Sequence, residues 1–173
     1  MQIFDYLKCL ACVLLALAFG VNAGVAAGKN YSGKYSLQVQ RHASGNNAGS
    51  TIEVVQNEDS IDVTRVEQGT RTSNRYPLNG GDGDYTSSGG VRGKCKAQLK
   101  DKYLVLESVV AATPEPNAPP MRVHTKERWQ LSADAKTLTV KSDMDFPDAP
   151  SRVSAVVGES ASGTQKYART ESQ

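Results

Sequence analysis

Residues 122–140 read RVHTKERWQLSADAKTLTV, with two alternating runs on either side of a polar break at residues 132–136. A period of two sends successive side chains to opposite faces of a β-strand. In the first run one face is strongly basic and the other is largely apolar. The apolar face carries Val123, Thr125, Glu127, Trp129 and Leu131. The stretch therefore predicts two antiparallel strands joined by a turn, with Trp129 as an anchor of the core.

The same alternation continues along most of the chain beyond residue 30. Turn signals separate the runs at residues 57–59, 79–84, 101–102 and 113–120, the last with four prolines. The predicted strands have their apolar positions at Tyr35, Leu37 and Val39; Ile52 and Val54; Ile61 and Val63; Tyr76 and Leu78; Cys95, Ala97 and Leu99; Leu104, Leu106 and Val110; Leu138 and Val140; residues 153–157; and residues 164–169. Residues 103–111 are apolar on both faces, which predicts a strand that is central or covered on both sides.

About eight to ten short strands joined in sequence predict an all-β fold. The favoured architecture is an antiparallel up-and-down barrel, since closure removes the exposed edges that a long meander would leave. A two-sheet sandwich is the alternative. No apolar stripe at helical spacing runs longer than about two turns, so no long helix is expected.

A family resemblance lies in the closing hairpin. Residues 128–140, RWQLSADAKTLTV, resemble the RWxLSxDGKTLTV hairpin of small exported bacterial proteins with lipocalin-like barrels. Residues 167–169, YAR, are similar to the closing strand of the same group. Ala135 stands where those proteins usually have glycine, which leaves the turn type open. The resemblance implies a lipocalin-like barrel and no particular chemistry, because most such proteins have no assigned activity.

The first 27 residues have the pattern of a secretory signal peptide. Lys8 precedes an apolar run over residues 9–19, and small residues favour cleavage after Ala23 or Ala27. The run is shorter than the roughly 20 residues that cross a bilayer, although an uncleaved anchor is the alternative. The prediction is an exported protein, periplasmic or secreted, with a single barrel domain over residues 28–173. No transmembrane segment is expected after cleavage.

Charge and cysteine usage exclude several classes of function. The net charge is +2 and no long run of like charges occurs, so nucleic acid is not an expected partner. Cys9 and Cys12 would leave with the signal peptide, so the remaining Cys95 has no internal disulfide partner. Carboxylates at residues 82–84 and 143–148 could ligate calcium, but neither stretch completes a calcium loop. No metal and no other cofactor is expected.

Catalytic residues are sparse. The two histidines are His42 and His124, and no G-x-S-x-G motif is present. Cys95 shares a face with Ala97 and Leu99, which favours a buried small side chain over a nucleophile. Lys94 and Lys96 would point to the opposite face. The sequence predicts a non-enzymatic protein, with a hydrolase as the third alternative.

The predicted ligand-binding residues are those of the basic face, Arg122, His124, Lys126 and Arg128. If this face lines the barrel, it could hold an anionic head group; if it faces outward, it is a solvated surface with cross-strand partners such as Glu53 or Asp62. The leading functional prediction is an exported barrel that binds a small apolar or anionic ligand. An envelope protein–protein interaction or inhibitor module is the alternative, using the basic strand or residues 113–120. The oligomeric state stays open.

Overall fold

The computed structural model describes residues 29–38, 49–113, 119–148 and 162–170. These residues form ten antiparallel strands in one sheet. The strands are β1 (Gly33–Leu37), β2 (Thr51–Gln56), β3 (Ser60–Glu67), β4 (Thr70–Pro77), β5 (Gly83–Thr86), β6 (Arg92–Leu99), β7 (Leu104–Ala112), β8 (Met121–Leu131), β9 (Thr137–Asp145) and β10 (Gly163–Arg169). The predicted signal peptide, Val39, His42 and the strand predicted at 153–157 lie outside the described residues.

The sheet closes on itself into a barrel. Its order is β4-β3-β2-β1-β10-β9-β8-β7-β6-β5, so β4 and β5 are the two ends of the ladder. The Asn74 side chain bridges them, because its Nδ2 donates to the Thr86 carbonyl at 3.0 Å and its Oδ1 accepts from the Thr86 amide at 2.7 Å. The Cys95 thiol reaches the Arg75 carbonyl on β4 at 3.3 Å. The predicted all-β up-and-down barrel is confirmed, with one seam closed mainly by side chains.

Glycine allows β5 to approach β4 at this seam. A Cβ atom at Gly83 would lie 2.6 Å from the Arg75 carbonyl oxygen, closer than side chains tolerate. The turn predicted at residues 79–84 is therefore shorter than expected, since Gly83 and Asp84 already belong to β5. This strand escaped prediction because Tyr85 is its only large apolar residue.

One end of the barrel is closed and dry. Residues 29–32 cross it from β2 to β8, since the Tyr31 amide donates to Gln56 Oε1 at 2.9 Å and the Tyr31 hydroxyl donates to the Trp129 carbonyl at 3.1 Å. The Tyr35 hydroxyl then donates to the Tyr31 carbonyl at 2.8 Å. In an up-and-down sheet alternate strand ends coincide, so the opposite end is where β1, β3, β5, β7 and β9 finish and β2, β4, β6, β8 and β10 begin. We call that opposite end the mouth.

The core fills the closed half. Its largest fully buried side chains are Trp129, Tyr31, Tyr35, Tyr167, Ile52, Ile61, Leu104, Leu106 and Leu138. Trp129 is 0% exposed, which confirms it as a core anchor. β7 lies between β6 and β8, and Val105 on its outer face is buried as well. Among the described residues, no helix has the length and apolar character needed to span a membrane.

Candidate ligand site in the barrel interior

The four predicted ligand-binding residues lie on the outer face of β8. Arg122, His124, Lys126 and Arg128 are all exposed, because they alternate with residues that face the core. The first three line a shallow depression of about 780 Å³, with Val109 and Ala111 at its floor. Arg128 lies in a separate depression beside Lys141. Of the two alternatives for this face, the structure has the outward, solvated one, and anion binding on that surface stays a prediction.

Acidic neighbours other than the expected Glu53 and Asp62 pair with the basic face. The Lys126 ammonium lies 2.8 Å from Glu107, and the Arg122 guanidinium lies 2.7 Å from Asp148. Hydrogen bonds from Arg122 lower the pKa of the Asp148 carboxyl to about 2. These pairs are exposed, and surface ion pairs of this kind contribute little to stability.

The inner face of β8 carries a different kind of polar group. Glu127 points into the barrel and accepts a hydrogen bond from Arg65 of β3 at 2.5 Å. The same carboxylate oxygen accepts from the Trp129 indole nitrogen at 2.8 Å. The Arg65 guanidinium also lies over the Trp129 ring, 5.4 Å from its centroid, in a cation–π contact. One acid, one base and one indole thus form an interior cluster.

This ion pair spans the barrel. β3 and β8 are five strands apart in either direction around the closed sheet, so the two residues approach from opposite walls. Their side chains are 17% and 13% exposed for Arg65 and Glu127. Burial disfavours the charged guanidinium, whereas the neighbouring Glu127 carboxylate favours it, and the pKa of Arg65 lies above its ordinary value. As an ion pair the two groups add no net charge to the interior.

Three tyrosines surround the pair with neutral hydroxyl groups. Burial raises the pKa of the phenols of Tyr76, Tyr85 and Tyr167, the last to about 12. The rings of Tyr76 and Tyr85 meet edge to face, with centroids 6.3 Å apart. The Tyr167 hydroxyl donates to Gln165 at 2.9 Å. At neutral pH the phenols are uncharged groups that can both donate and accept hydrogen bonds.

Exposure rises along the inner face from the closed end to the mouth. On β8, Trp129 is fully buried, Glu127 is slightly exposed, and Thr125 and Val123 are partly exposed. A pocket of about 380 Å³ opens at the mouth, with Ser50, Glu67, Gln68, Thr70, Ser88, Gly89 and Gln165 as its lining. The inward-facing side chains are therefore mostly buried below the Arg65–Glu127 pair and partly exposed above it.

Cys95 is a buried structural residue. It is 2% exposed, and burial raises the pKa of its thiol to about 11. Lys94 and Lys96 lie on the outer face, as predicted, and Lys94 pairs with Asp84 at 2.7 Å. His124 is separated from Cys95 because the two residues lie on opposite faces of the sheet. Within the described ranges, no group of three or more potential metal ligands is present.

Sequence reasoning did not identify Arg65 and Glu127 as a site. A signal was nevertheless present, because each charge interrupts the apolar face of its strand: Arg65 follows Ile61 and Val63, and Glu127 precedes Trp129. Charges at such positions are seldom buried without a partner. Each residue could therefore have been proposed as a buried charge in need of a partner, although neither strand identifies that partner.

Comparisons with known proteins show the fold. No protein-family model and no curated protein sequence matches the chain. Among solved structures, a zebrafish ileal bile acid-binding protein complexed with cholic acid is 14% identical, with 81% of this chain and 98% of that chain covered and a TM-score of 0.54. A Schistosoma mansoni fatty acid binding protein in complex with arachidonic acid is 14% identical, with 82% and 96% covered and a TM-score of 0.52. The REP1-NXSQ fatty acid transporter is 13% identical, with 82% and 97% covered and a TM-score of 0.51.

These likenesses define the architecture and not the activity. All three structures share the antiparallel β-barrel fold with this chain. Identities of 13–14% are too low to carry a ligand or a site residue from one protein to another. The class defined by the fold is a lipocalin-like β-barrel, and function has to be argued from the interior of this barrel.

Proposed function

We propose that this chain is an exported, non-enzymatic β-barrel protein that binds a small, mainly apolar ligand in its interior. The observation that carries the proposal is the division of the interior: side chains are mostly buried below the Arg65–Glu127 pair and partly exposed above it, where a pocket of about 380 Å³ opens at the mouth. Ligand sites in small barrels lie in the mouth and the adjoining interior. The leader-like pattern of residues 1–27 supports export, as does the resemblance of residues 128–140 to exported bacterial proteins.

The fold neighbours support the same class of function. Their names describe proteins that bind bile acids or bind or transport fatty acids, which are amphiphiles with a large apolar part. The upper interior has a matching composition, since Leu37, Val110 and Val123 lie among Tyr85, Ser108 and Gln165. Such a lining can bury a chain or ring system and still offer hydrogen bonds to one end.

Two substitutions on neighbouring residues test the location of the site. Thr125→Phe inserts a ring into the upper interior, and His124→Phe places the same ring on the outer face. The measurement is the fluorescence of N-phenyl-1-naphthylamine, an uncharged apolar probe, titrated with each protein. We expect Thr125→Phe to weaken binding by about tenfold or more and His124→Phe to leave it unchanged, since tenfold corresponds to about 1.4 kcal/mol of lost contact.

Two results would count against binding in the interior. A wild-type protein that binds no probe, with its fold verified by circular dichroism, would contradict the proposal. Equal loss of binding in both variants would move the site away from the interior. Native mass spectrometry of the protein purified from its exported fraction provides a second readout, because a retained small molecule would appear as added mass.

A further inference from the structure

We propose that the interior selects an uncharged amphiphile, whose polar end is a hydroxyl, ester or amide group, over the matching carboxylate. This inference rests on the proposed function and names the ligand class of the same site. The charges inside this barrel, and not the ligands of the fold neighbours, carry the inference.

Among the described residues, the inward-facing positions above the closed end carry more negative than positive charge. In the described strands, the inward-facing charged residues are Arg65, Glu67, Glu127 and Arg169. Arg169 is held at the closed end, where it donates to the Ser32 carbonyl at 2.6 Å and to the Tyr35 hydroxyl at 3.0 Å. In the described strands, a guest that enters from the mouth therefore meets one guanidinium and two carboxylates.

That guanidinium is already compensated. Glu127 takes a charge-assisted hydrogen bond from Arg65, and the Trp129 ring covers one side of the cation. An ionised carboxylate that reached Arg65 would lie beside the Glu127 carboxylate, and Glu67 lines the pocket on its route. Like charges within about 4–6 Å disfavour the ionised form, so an acid would enter against both carboxylates.

An uncharged oxygen meets no such barrier. Arg65 has five N–H donors, and among the described residues only Glu127 accepts from its guanidinium. A hydroxyl or carbonyl oxygen can accept from a remaining donor while the Arg65–Glu127 pair stays intact. The phenol of the partly exposed Tyr85, which burial keeps neutral, offers a further hydrogen bond. The polar end of the guest thereby forms its hydrogen bonds and brings no additional charge into the interior.

The test compares two ligands with the same chain length, dodecan-1-ol and dodecanoate. Each displaces N-phenyl-1-naphthylamine from the protein at about pH 8, where a carboxylic acid is ionised and arginine stays protonated. We expect the wild-type protein to bind the alcohol at least about tenfold more tightly. Dodecan-1-ol also transfers out of water more readily than dodecanoate, which by itself favours its binding. The decisive quantity is therefore the change, in the charge variants, of the ratio of the two affinities.

Glu127→Gln is the principal variant. It keeps the size of the side chain and an acceptor for Trp129, and it leaves Arg65 with an uncompensated charge. We expect dodecanoate affinity to rise about tenfold or more, with little change for the alcohol. Glu53→Gln on the outer face is the matched control and should leave both affinities unchanged. Glu67→Gln, at the mouth, should raise dodecanoate affinity about threefold by removal of the second carboxylate, even if Glu127→Gln fails to fold.

The outcomes separate this inference from the proposed function. A wild-type protein that prefers dodecanoate, or a ratio that stays the same in the folded charge variants, would overturn the inference and leave interior binding intact. Failure of the wild-type protein to bind the probe at all would contradict both. A rise in dodecanoate affinity of the same size in Glu53→Gln would show a long-range surface effect and would also overturn the inference.

Discussion

Replacement of Ala135 by glycine should stabilise the turn between β8 and β9. Ala135 has a φ of 55°, in the left-handed region that side chains with a Cβ avoid. The turn holds it there, because the Ala135 amide donates to the Ser132 carbonyl at 3.1 Å and the Thr137 amide donates to Ser132 Oγ at 3.0 Å. Because these two hydrogen bonds hold the turn on either side of Ala135, its backbone cannot relax into a more favourable conformation.

The size of the effect follows from three contributions. Relief of the left-handed conformation provides about 1–2 kcal/mol. Glycine loses about 0.5–1 kcal/mol through the greater freedom of the unfolded chain. Loss of the half-buried methyl group of Ala135 costs at most about 0.4 kcal/mol. The free energy of unfolding should therefore rise by about 0.5 kcal/mol.

Ala133 offers a matched control in the same turn. It is exposed, and its φ is not positive, so Ala133→Gly carries only the entropic loss of about 0.5–1 kcal/mol. Urea unfolding followed by the fluorescence of Trp129 measures both variants against the wild-type protein. The two glycine variants should differ by about 1 kcal/mol, with Ala135→Gly the more stable. Equal destabilisation by both substitutions would refute a strained turn at Ala135.

Three further predictions concern other parts of the fold. Cys95 should react with a disulfide reagent at neutral pH about a hundredfold or more slowly than in urea, because its thiol is buried and its pKa is raised to about 11; similar rates would contradict this. An NMR titration should give the Asp148 carboxyl a pKa near 2, and in Arg122→Gln this pKa should return towards about 4. The contribution of Asp148 to stability is therefore present above about pH 4 and is lost as the pH falls towards 2. Gly83→Ala should lower the free energy of unfolding by about 1–3 kcal/mol, while Gly163→Ala, with no atom within 4 Å of its new Cβ, should be close to neutral in the same urea assay.

Most strands can be predicted from the sequence because each one shows its own alternation of apolar and polar residues. A period of two identifies which residues face the core, and Tyr35, Ile52, Trp129 and Tyr167 are indeed buried. The pattern fails at β5, where a short strand between glycine-rich turns has too few apolar residues to alternate. β5 is formed instead by its fit between its two neighbours in the sequence, since it pairs with β6 and lies against β4 at the seam.

The orientation of the basic face could have been deduced from one residue. A single tryptophan within an alternating run is a strong candidate for the core, so the residues on the other face of β8 must point outward. The pairing of Arg65 with Glu127 could not be deduced in the same way. It depends on the number of strands and on closure of the sheet, because these two features place β3 opposite β8. Neither feature is encoded in the local pattern of either strand.

Stability alone does not explain an ion pair across the barrel. Two buried charges lose solvation that their attraction only partly returns, and an apolar pair of similar volume often stabilises a core as well or better. The pair lies at the boundary between the packed half and the accessible half, where apolar side chains in its place would leave no strong hydrogen-bond donor above Trp129. An interior without such a donor could still bury an apolar guest, but it could not orient one end of it. The Arg65–Glu127 pair supplies polarity without net charge, and this is the property that an interior needs in order to receive an uncharged polar end and reject an ionised one.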